Sequence, residues 1–241
     1  MVFVYRDVKI FYKFVNRKKN VTNIYLHGWG QNWESLQFCD EYLKNENSLF
    51  VDFPPFGKSE DNIKDWSIFT YANMIICLIE KLELSKVNLI GHSFGGRVSI
   101  IVSSILKNRV NKLVLVDSAG MKPRRNLKYH FDVFRYKIRK KLGKDISKLG
   151  SDDYKKLNSD AKKVFVNIVN TNLESFLPMI KCKTIIIFGE NDNVTPIYMA
   201  KRLNKGIKNS KLCLIKDAGH FCFVDKRFEF VNLLKEFVEV D

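Results

Sequence analysis

The sequence predicts an α/β protein: a mostly parallel eight-stranded sheet flanked by helices, with a short helical insertion carried on it. Three observations point there. Segments rich in Val, Ile and Phe recur along the 241 residues with helix-patterned stretches between them, the rhythm of βαβ units. A glycine-flanked serine, Gly91-His92-Ser93-Phe94-Gly95-Gly96, stands between one such strand and an amphipathic helix. The rhythm then stops between Ala119 and Pro178, where about 60 residues contain no convincing strand, and resumes afterwards.

Taken in order, Val2–Tyr5 and the alternating Val8–Val15 read as an antiparallel pair. Asn23–Leu26 is a short buried strand that runs into His27-Gly28-Trp29-Gly30, and Ser48–Asp52 is a fourth strand ending in Phe53-Pro54-Pro55-Phe56-Gly57. Helical spacing covers Phe69–Leu82. Lys86–Ile90, Lys112–Asp117, Lys183–Phe188 and Lys211–Ile215 are the remaining strands, with helices over Phe94–Leu106, Ile197–Leu203 and Phe228–Val238. The expected organisation is a core built from residues 1–119 and 179–241, with residues 120–178 inserted as a basic helical lid.

Composition narrows the class. At 46% hydrophobic and 28% charged residues, the chain has the balance of an ordinary globular protein, neither disordered nor disulfide-built. Its longest strongly apolar run, Met74–Ile79, is far short of the roughly 20 residues that span a bilayer, so no membrane span is expected. Met1–Lys9 lacks the apolar stretch of a secretory signal. The five cysteines (Cys39, Cys77, Cys182, Cys213, Cys222) are odd in number and form no CxxC pair, which fits reduced thiols in a cytoplasmic protein and offers no metal-ligand cluster. The net charge of +15 is unevenly spread: Met121–Lys163 holds 15 Lys and Arg against five Asp, leaving +5 for the other 198 residues. Such a segment is either a solvated surface or a docking face for an acidic partner.

The chemistry centres on Ser93. Gly91-His92-Ser93-Phe94-Gly95 fits G-x-S-x-G in the context that motif requires, an apolar strand before it and a helix after it. A serine on so tight a turn takes a strained backbone and lifts its hydroxyl above the sheet, while the residues two before and two after are crowded together and must be glycine. The helix start behind it aims backbone N–H groups at the reacting centre. On these residues the chain resembles the α/β-hydrolase superfamily over nearly its whole length, residues 120–178 excepted. That family carries its catalytic groups in the order Ser, Asp or Glu, His.

The resemblance implies the partners of Ser93. Of four histidines, His27 belongs to the HGWG loop, His92 to the serine turn and His130 to the basic segment. His220, in Asp217-Ala218-Gly219-His220-Phe221 after the last strand, is the expected general base. Asp192, in Gly189-Glu190-Asn191-Asp192-Asn193, matches the family acid that orients the imidazole, with Glu190 and Asp117 as alternatives. The backbone N–H groups of Trp29 and Phe94 are the expected oxyanion donors, and the Trp29 ring either walls the acyl pocket or is simply packed. Asp52–Ser59 is similar to the family's D-x-P-G-x-G-x-S turn, with Pro55 in place of a glycine, and is expected to be structural.

Serine rather than aspartate as nucleophile argues against dehalogenase and epoxide-hydrolase chemistry. No phosphate-binding loop, dinucleotide fingerprint or metal cluster is present, so no cofactor is expected. Acyl transfer to water remains, through an acyl-enzyme. Carboxylic esters are the commonest substrates of this constellation; thioesters, carbon–carbon cleavage of diketones and perhydrolysis use it too. The HGWG loop and a short basic lid are similar to esterases that cleave the methyl ester of a pimeloyl chain on acyl carrier protein, and Arg124, Arg125, Arg135 and Arg139 could dock such an acidic carrier. Two non-enzymatic readings compete. A hydrolase-fold binding protein would lack a triad member, yet all three are present. Nucleic-acid binding would need a stacking platform, for which Tyr129, Phe131, Phe134 and Tyr136 are the only candidates; these aromatics more simply form the apolar face of the lid.

Overall fold

In the computed structural model, which describes residues 1–123 and 159–239, eight strands form one sheet. They are β1 Val2–Tyr5, β2 Val8–Val15, β3 Val21–Leu26, β4 Asn47–Val51, β5 Lys86–His92, β6 Val110–Val116, β7 Lys183–Gly189 and β8 Ser210–Ile215, in the spatial order β1-β2-β4-β3-β5-β6-β7-β8. β1 and β2 pair antiparallel, as does β2 with β4; every other pairing is parallel. All eight strands and the four helices expected outside residues 120–178 lie where the sequence pattern puts them, with ends shifted by at most three residues.

The strands are apolar on both faces because both faces are covered. Along β6, Leu113 and Leu115 face one core while Val114 and Val116 face the other; β7 alternates likewise, Ile186 and Phe188 against Ile185 and Ile187. The first core is closed by α1 (Ile68–Lys81), α2 (Phe94–Ile105) and α4 (Ile197–Gly206). The second is closed by the terminal helix α6 (Arg227–Glu239) and by a 3₁₀ segment, Trp33–Glu41, that inserts Leu36 and Cys39. α1 starts where Ser67 and Thr70 form a reciprocal capping box.

Between residues 120 and 179, the described residues form α3 (Ser159–Asn170) and a short 3₁₀ turn at Glu174–Met179, and no strand. Ala161, Val164 and Ile168 bury one face of α3. His130, the arginines at 124, 125, 135 and 139, and the aromatics at 129, 131, 134 and 136 all lie outside the described residues. No described helix is long and apolar enough to cross a membrane.

Two elements carried too little pattern to be read from sequence. The Trp33–Glu41 segment is mostly polar and fixes itself by the Asn32 side chain, which accepts from the Glu34 N–H. α5 (Cys222–Asp225) is a single turn.

Across the sheet, at the end opposite Ser93, amide side chains replace apolar packing. The Asn88 side-chain amide donates to Asn23 Oδ1 at 2.8 Å and its oxygen accepts from Asn111 at 3.0 Å, with Asn23 and Asn88 fully buried. Asn88→Val strands the Asn23 oxygen and should lower unfolding free energy by about 2 kcal/mol in urea titrations. Converting Asn23 to Val as well should restore part of that loss, because the fully buried Asn23 oxygen is then gone and the partners left over are the half-buried Glu46 and the exposed Asn111.

Candidate active site

Ser93 sits at the junction of β5 and α2 with φ 49° and ψ −105°, a backbone state that a residue with a Cβ adopts only under constraint. The constraint is the close approach of this turn to its surroundings. A Cβ on Gly95 would run into the Leu26 carbonyl at the end of β3, and one on Gly91 would meet the Gly95 carbonyl at 2.6 Å. The turn is then pinned by backbone bonds: Ser93 N–H to the Val116 carbonyl at 3.0 Å, and Gly95 N–H to the His27 carbonyl at 3.1 Å.

His220 lies above it, in the loop between β8 and α5. Its Nε2 is 3.0 Å from Ser93 Oγ and its Nδ1 is 2.8 Å from Asp192 Oδ2. The sequence reading thus named three side chains that the structure joins in one chain of contacts. The Asp192 carboxylate is anchored from its own loop: Oδ1 accepts from the Val194 and Thr195 N–H groups at 2.7 and 2.9 Å, and the Thr195 hydroxyl donates to Oδ2. Burial works against its charge, but the hydrogen bonds from His220 and Thr195 outweigh it and hold the carboxyl below the usual range.

The two alternative acids do other things. Glu190 is exposed. Asp117 is fully buried, and its two oxygens accept from the Gly189 N–H (2.8 Å) and the Cys222 N–H (3.1 Å). It therefore fastens the end of β7 to the start of α5, and so sets the spacing of the Asp192 and His220 loops. Burial pushes its carboxyl up to about 6 against these hydrogen bonds.

The remaining described histidines are structural neighbours of the site. His27 donates through Nδ1 to the Gly28 carbonyl (2.7 Å) and accepts at Nε2 from the Phe53 N–H (2.9 Å), tying β3 to β4. The His92 ring lies 2.9 Å from the Gln31 side-chain oxygen at Nδ1 and 2.9 Å from the His220 carbonyl at Nε2, and as a neutral ring it donates to only one of the two. Gln31 in turn accepts from the Gly28 N–H at 2.8 Å. One ring thereby links the HGWG loop to the His220 loop. The sequence assigns no role to Gln31 or Thr195, and offers Asp117 only as an alternative acid. Only Asp117 carried a signal, as a carboxylate at a strand end.

A cavity of about 390 Å³ opens over Ser93 and His220. Trp29 and Phe94 both line it, and neither of their backbone N–H groups has an acceptor among the described residues. The Trp29 ring is wall as well as packing, edge-on to Phe56 and Phe94 at centroid distances of 4.9 and 5.2 Å and beside Phe165 of α3 at 5.3 Å. The Asp52 turn stands behind this wall. Its carboxylate accepts from the Trp33 and Lys58 N–H groups and Ser59 Oγ returns to its carbonyl, so Pro55 is accommodated without any chemical role for the turn. Among the described residues no three His, Cys, Asp or Glu side chains gather to hold a metal ion.

The sheet order, the strained serine turn and the loop order raise one family above others, and comparison with known proteins decides it. A family model described as alpha/beta hydrolase fold matches residues 24–149 and 124–227. The chain belongs to the α/β hydrolase fold family. Among curated relatives, it is 24% identical over 241 residues to the AB hydrolase superfamily protein YisY of Bacillus subtilis (strain 168), covering 89% of this chain and 90% of that protein. It is 27% identical over 249 residues to a 2-hydroxy-6-oxononadienedioate/2-hydroxy-6-oxononatrienedioate hydrolase of Escherichia coli O81 (strain ED1a), covering 90% and 86%. Among solved structures, an esterase of Exiguobacterium antarcticum superposes with a TM-score of 0.79 at 23% identity, covering 97% and 96%, a likeness of fold.

Two outcomes follow from the packing of this site. Gly95→Ala should lower unfolding free energy by about 3 kcal/mol, read from the urea midpoint, because the added methyl group cannot clear the β3 carbonyl. Stability should also fall on acidification. Burial lowers His27 from 6.5 to about 4 and His92 to about 3, so between those values and 6.5 the unfolded chain binds two protons that the folded chain refuses. Asp117, raised from 3.8 to about 6, acts in the opposite sense, as do Asp52 and Glu46, which burial raises, while Asp40 and Asp192, held low against burial by their hydrogen bonds, act with the histidines. The urea midpoint should therefore drop from pH 7 to pH 4.5, and His92→Asn should flatten that slope.

Proposed function

We propose that this protein is a serine hydrolase that cleaves carboxylic esters through an acyl-enzyme, with Ser93 as nucleophile, His220 as general base and Asp192 as orienting acid. One observation carries the reading: the unbroken sequence of contacts Ser93 Oγ–His220 Nε2 (3.0 Å) and His220 Nδ1–Asp192 Oδ2 (2.8 Å) on the floor of an apolar-walled cavity. Asp192 accepts a hydrogen bond from Nδ1–H, which holds the tautomer whose Nε2 lone pair faces the serine hydroxyl. His220 takes the hydroxyl proton as Ser93 Oγ bonds to the carbonyl carbon. The carbonyl oxygen becomes an oxyanion, received by the N–H groups of Trp29 and Phe94, each such donor being worth about 3–4 kcal/mol in the transition state.

Collapse of that intermediate breaks the bond to the alcohol, which leaves with the proton held on His220. A water molecule then gives its proton to the same imidazole, attacks the acyl-serine, and releases the acid. Residues 120–178 act in this reading as a lid, with Met121, Pro123 and, from α3, Phe165, Ile168 and Val169 as its described contribution to the cavity wall. A second reading, hydrolysis of a carbon–carbon bond beside a ketone, is supported by the relationship to the E. coli hydrolase. It uses the same residues with a carbanion as leaving group.

Hydrolysis of p-nitrophenyl esters from acetate to decanoate tests the main reading. Ser93→Ala and His220→Ala should each lower kcat by at least about 10³-fold, with Asp192→Asn somewhat less affected. A fluorophosphonate probe should label the wild type and fail to label Ser93→Ala. Labelling at Ser93 without turnover of any ester would transfer support to the carbon–carbon reading, and no labelling at all would sink both.

A further inference from the structure

Arg97 lies one helical turn beyond Ser93, its backbone N–H bonded to the Ser93 carbonyl at 3.3 Å. It is the only charged residue of α2 and is 4% exposed, yet it forms part of the wall of the cavity over Ser93. Its Nη1 donates to the Thr171 carbonyl at 2.9 Å and its Nη2 to the Val169 carbonyl at 3.4 Å, at the C-terminal end of α3. These bonds explain where the guanidinium sits without neutralising it. A helix end supplies about half a unit of negative charge, and two bonds use two of five N–H donors. No carboxylate among the described residues pairs with it. Burial lowers its pKa only to about 10, so it is a full cation at neutral pH. An unpaired cation held in an apolar wall is costly to the fold.

A second donor in the same wall is also idle. The Trp29 indole Nε1–H is buried and has no acceptor, while the Trp29 ring borders the cavity beside Phe94 and Phe165. The other polar side chains of the lining are already committed: Gln31 to Gly28 and His92, Thr195 to Asp192, and His92 to the His220 loop. Met121, Ile168 and Val169 supply apolar surface around them. Away from Ser93 and His220, the described side chains of the cavity wall therefore bring one buried positive charge and no carboxylate to match it.

We infer that Arg97 receives a carboxylate of the substrate, so that the acyl chains accepted here end in a free carboxylate and the preferred esters are half-esters of dicarboxylic acids. A planar carboxylate matches the guanidinium fork, and the remaining N–H donors can address it directly. This inference rests on the ester-hydrolase reading and names its substrate class.

The test compares p-nitrophenyl hydrogen succinate, glutarate, adipate and suberate with neutral p-nitrophenyl esters of matched chain length, for wild type, Arg97→Lys and Arg97→Met. In wild type, kcat/KM at the best length should favour the charged ester at least about tenfold, chiefly through KM. Arg97→Met should abolish that preference and Arg97→Lys should keep part of it. A purely structural Arg97 would lower both esters by one factor and leave their ratio unchanged, which overturns the proposal; so does a wild type with no preference for the charged series. If wild type cleaves no ester, the ester-hydrolase reading falls first and Arg97 is judged by binding alone. Calorimetry with monomethyl adipate and the Ser93→Ala protein should show binding that Ser93→Ala/Arg97→Met lacks, and absence of binding to Ser93→Ala overturns the proposal independently of catalysis.

Discussion

The site depends on how closely the turn at Ser93 is pressed against the end of β3. Nothing larger than a hydrogen fits between Gly95 and the Leu26 carbonyl, and the Gly95 N–H closes the gap with a bond to His27. This contact holds Ser93 at a positive φ that its own side chain disfavours. The same approach decides what lies opposite. The chain leaving β3 is brought close to the same turn: Gly28 packs against the His92 ring, and Gly28 and Trp29 line the cavity together with Ser93. Strain at one residue, sustained by packing on both sides, thus creates a hydroxyl standing free of its helix at the floor of the cavity.

The loops above the sheet are held by a second set of constraints, and these use polar groups out of reach of solvent. Asp117 takes one N–H from β7 and one from α5; Asn191 N–H reaches the Ala218 carbonyl; His92 lies between the Gln31 oxygen and the His220 carbonyl. Each crosses from one loop to the next, so the proposed acid and base keep their spacing although neither belongs to a strand or helix. The neutral state of His27 and His92 belongs to this design. A second charged imidazole 5.0 Å from His220, the distance between the His92 and His220 rings, would oppose the imidazolium that the proposed mechanism forms.

The sheet was legible because fully buried parallel strands leave unbroken Val, Ile and Leu runs, as at Ile185–Phe188 and Leu113–Val116. Trp33–Glu41 was not, because a short 3₁₀ segment that buries only Leu36 and Cys39 completely shows no period. Ser93 was legible because steric crowding writes itself as glycine on both sides. Its partners needed family resemblance, since a loop histidine or aspartate carries no local mark of what it faces. Supporting groups such as Thr195 and Gln31 left no trace at all; their role arises from chain crossings that no window of sequence contains. Arg97 had a faint one, a single charge inside the apolar run Phe94–Ile105, which asks what a charge is doing in a buried helix.

That question bears on how the charges of the site are arranged. Asp192 keeps its negative charge through hydrogen bonds from its own loop and from His220; Arg97 keeps a positive charge with only carbonyl dipoles for company. Ser93 lies one turn from that cation and one imidazole away from the carboxylate. In the proposed reaction, proton transfer from Ser93 to His220 places positive charge beside Asp192 and negative charge at the start of α2, where the helix dipole already favours it. Each product of the separation thus meets a complementary group that was fixed before substrate arrived. A substrate carboxylate on Arg97 would neutralise the remaining unpaired charge in the wall, and the binding energy would fall on substrates that bring an anion rather than on any acyl chain that fits.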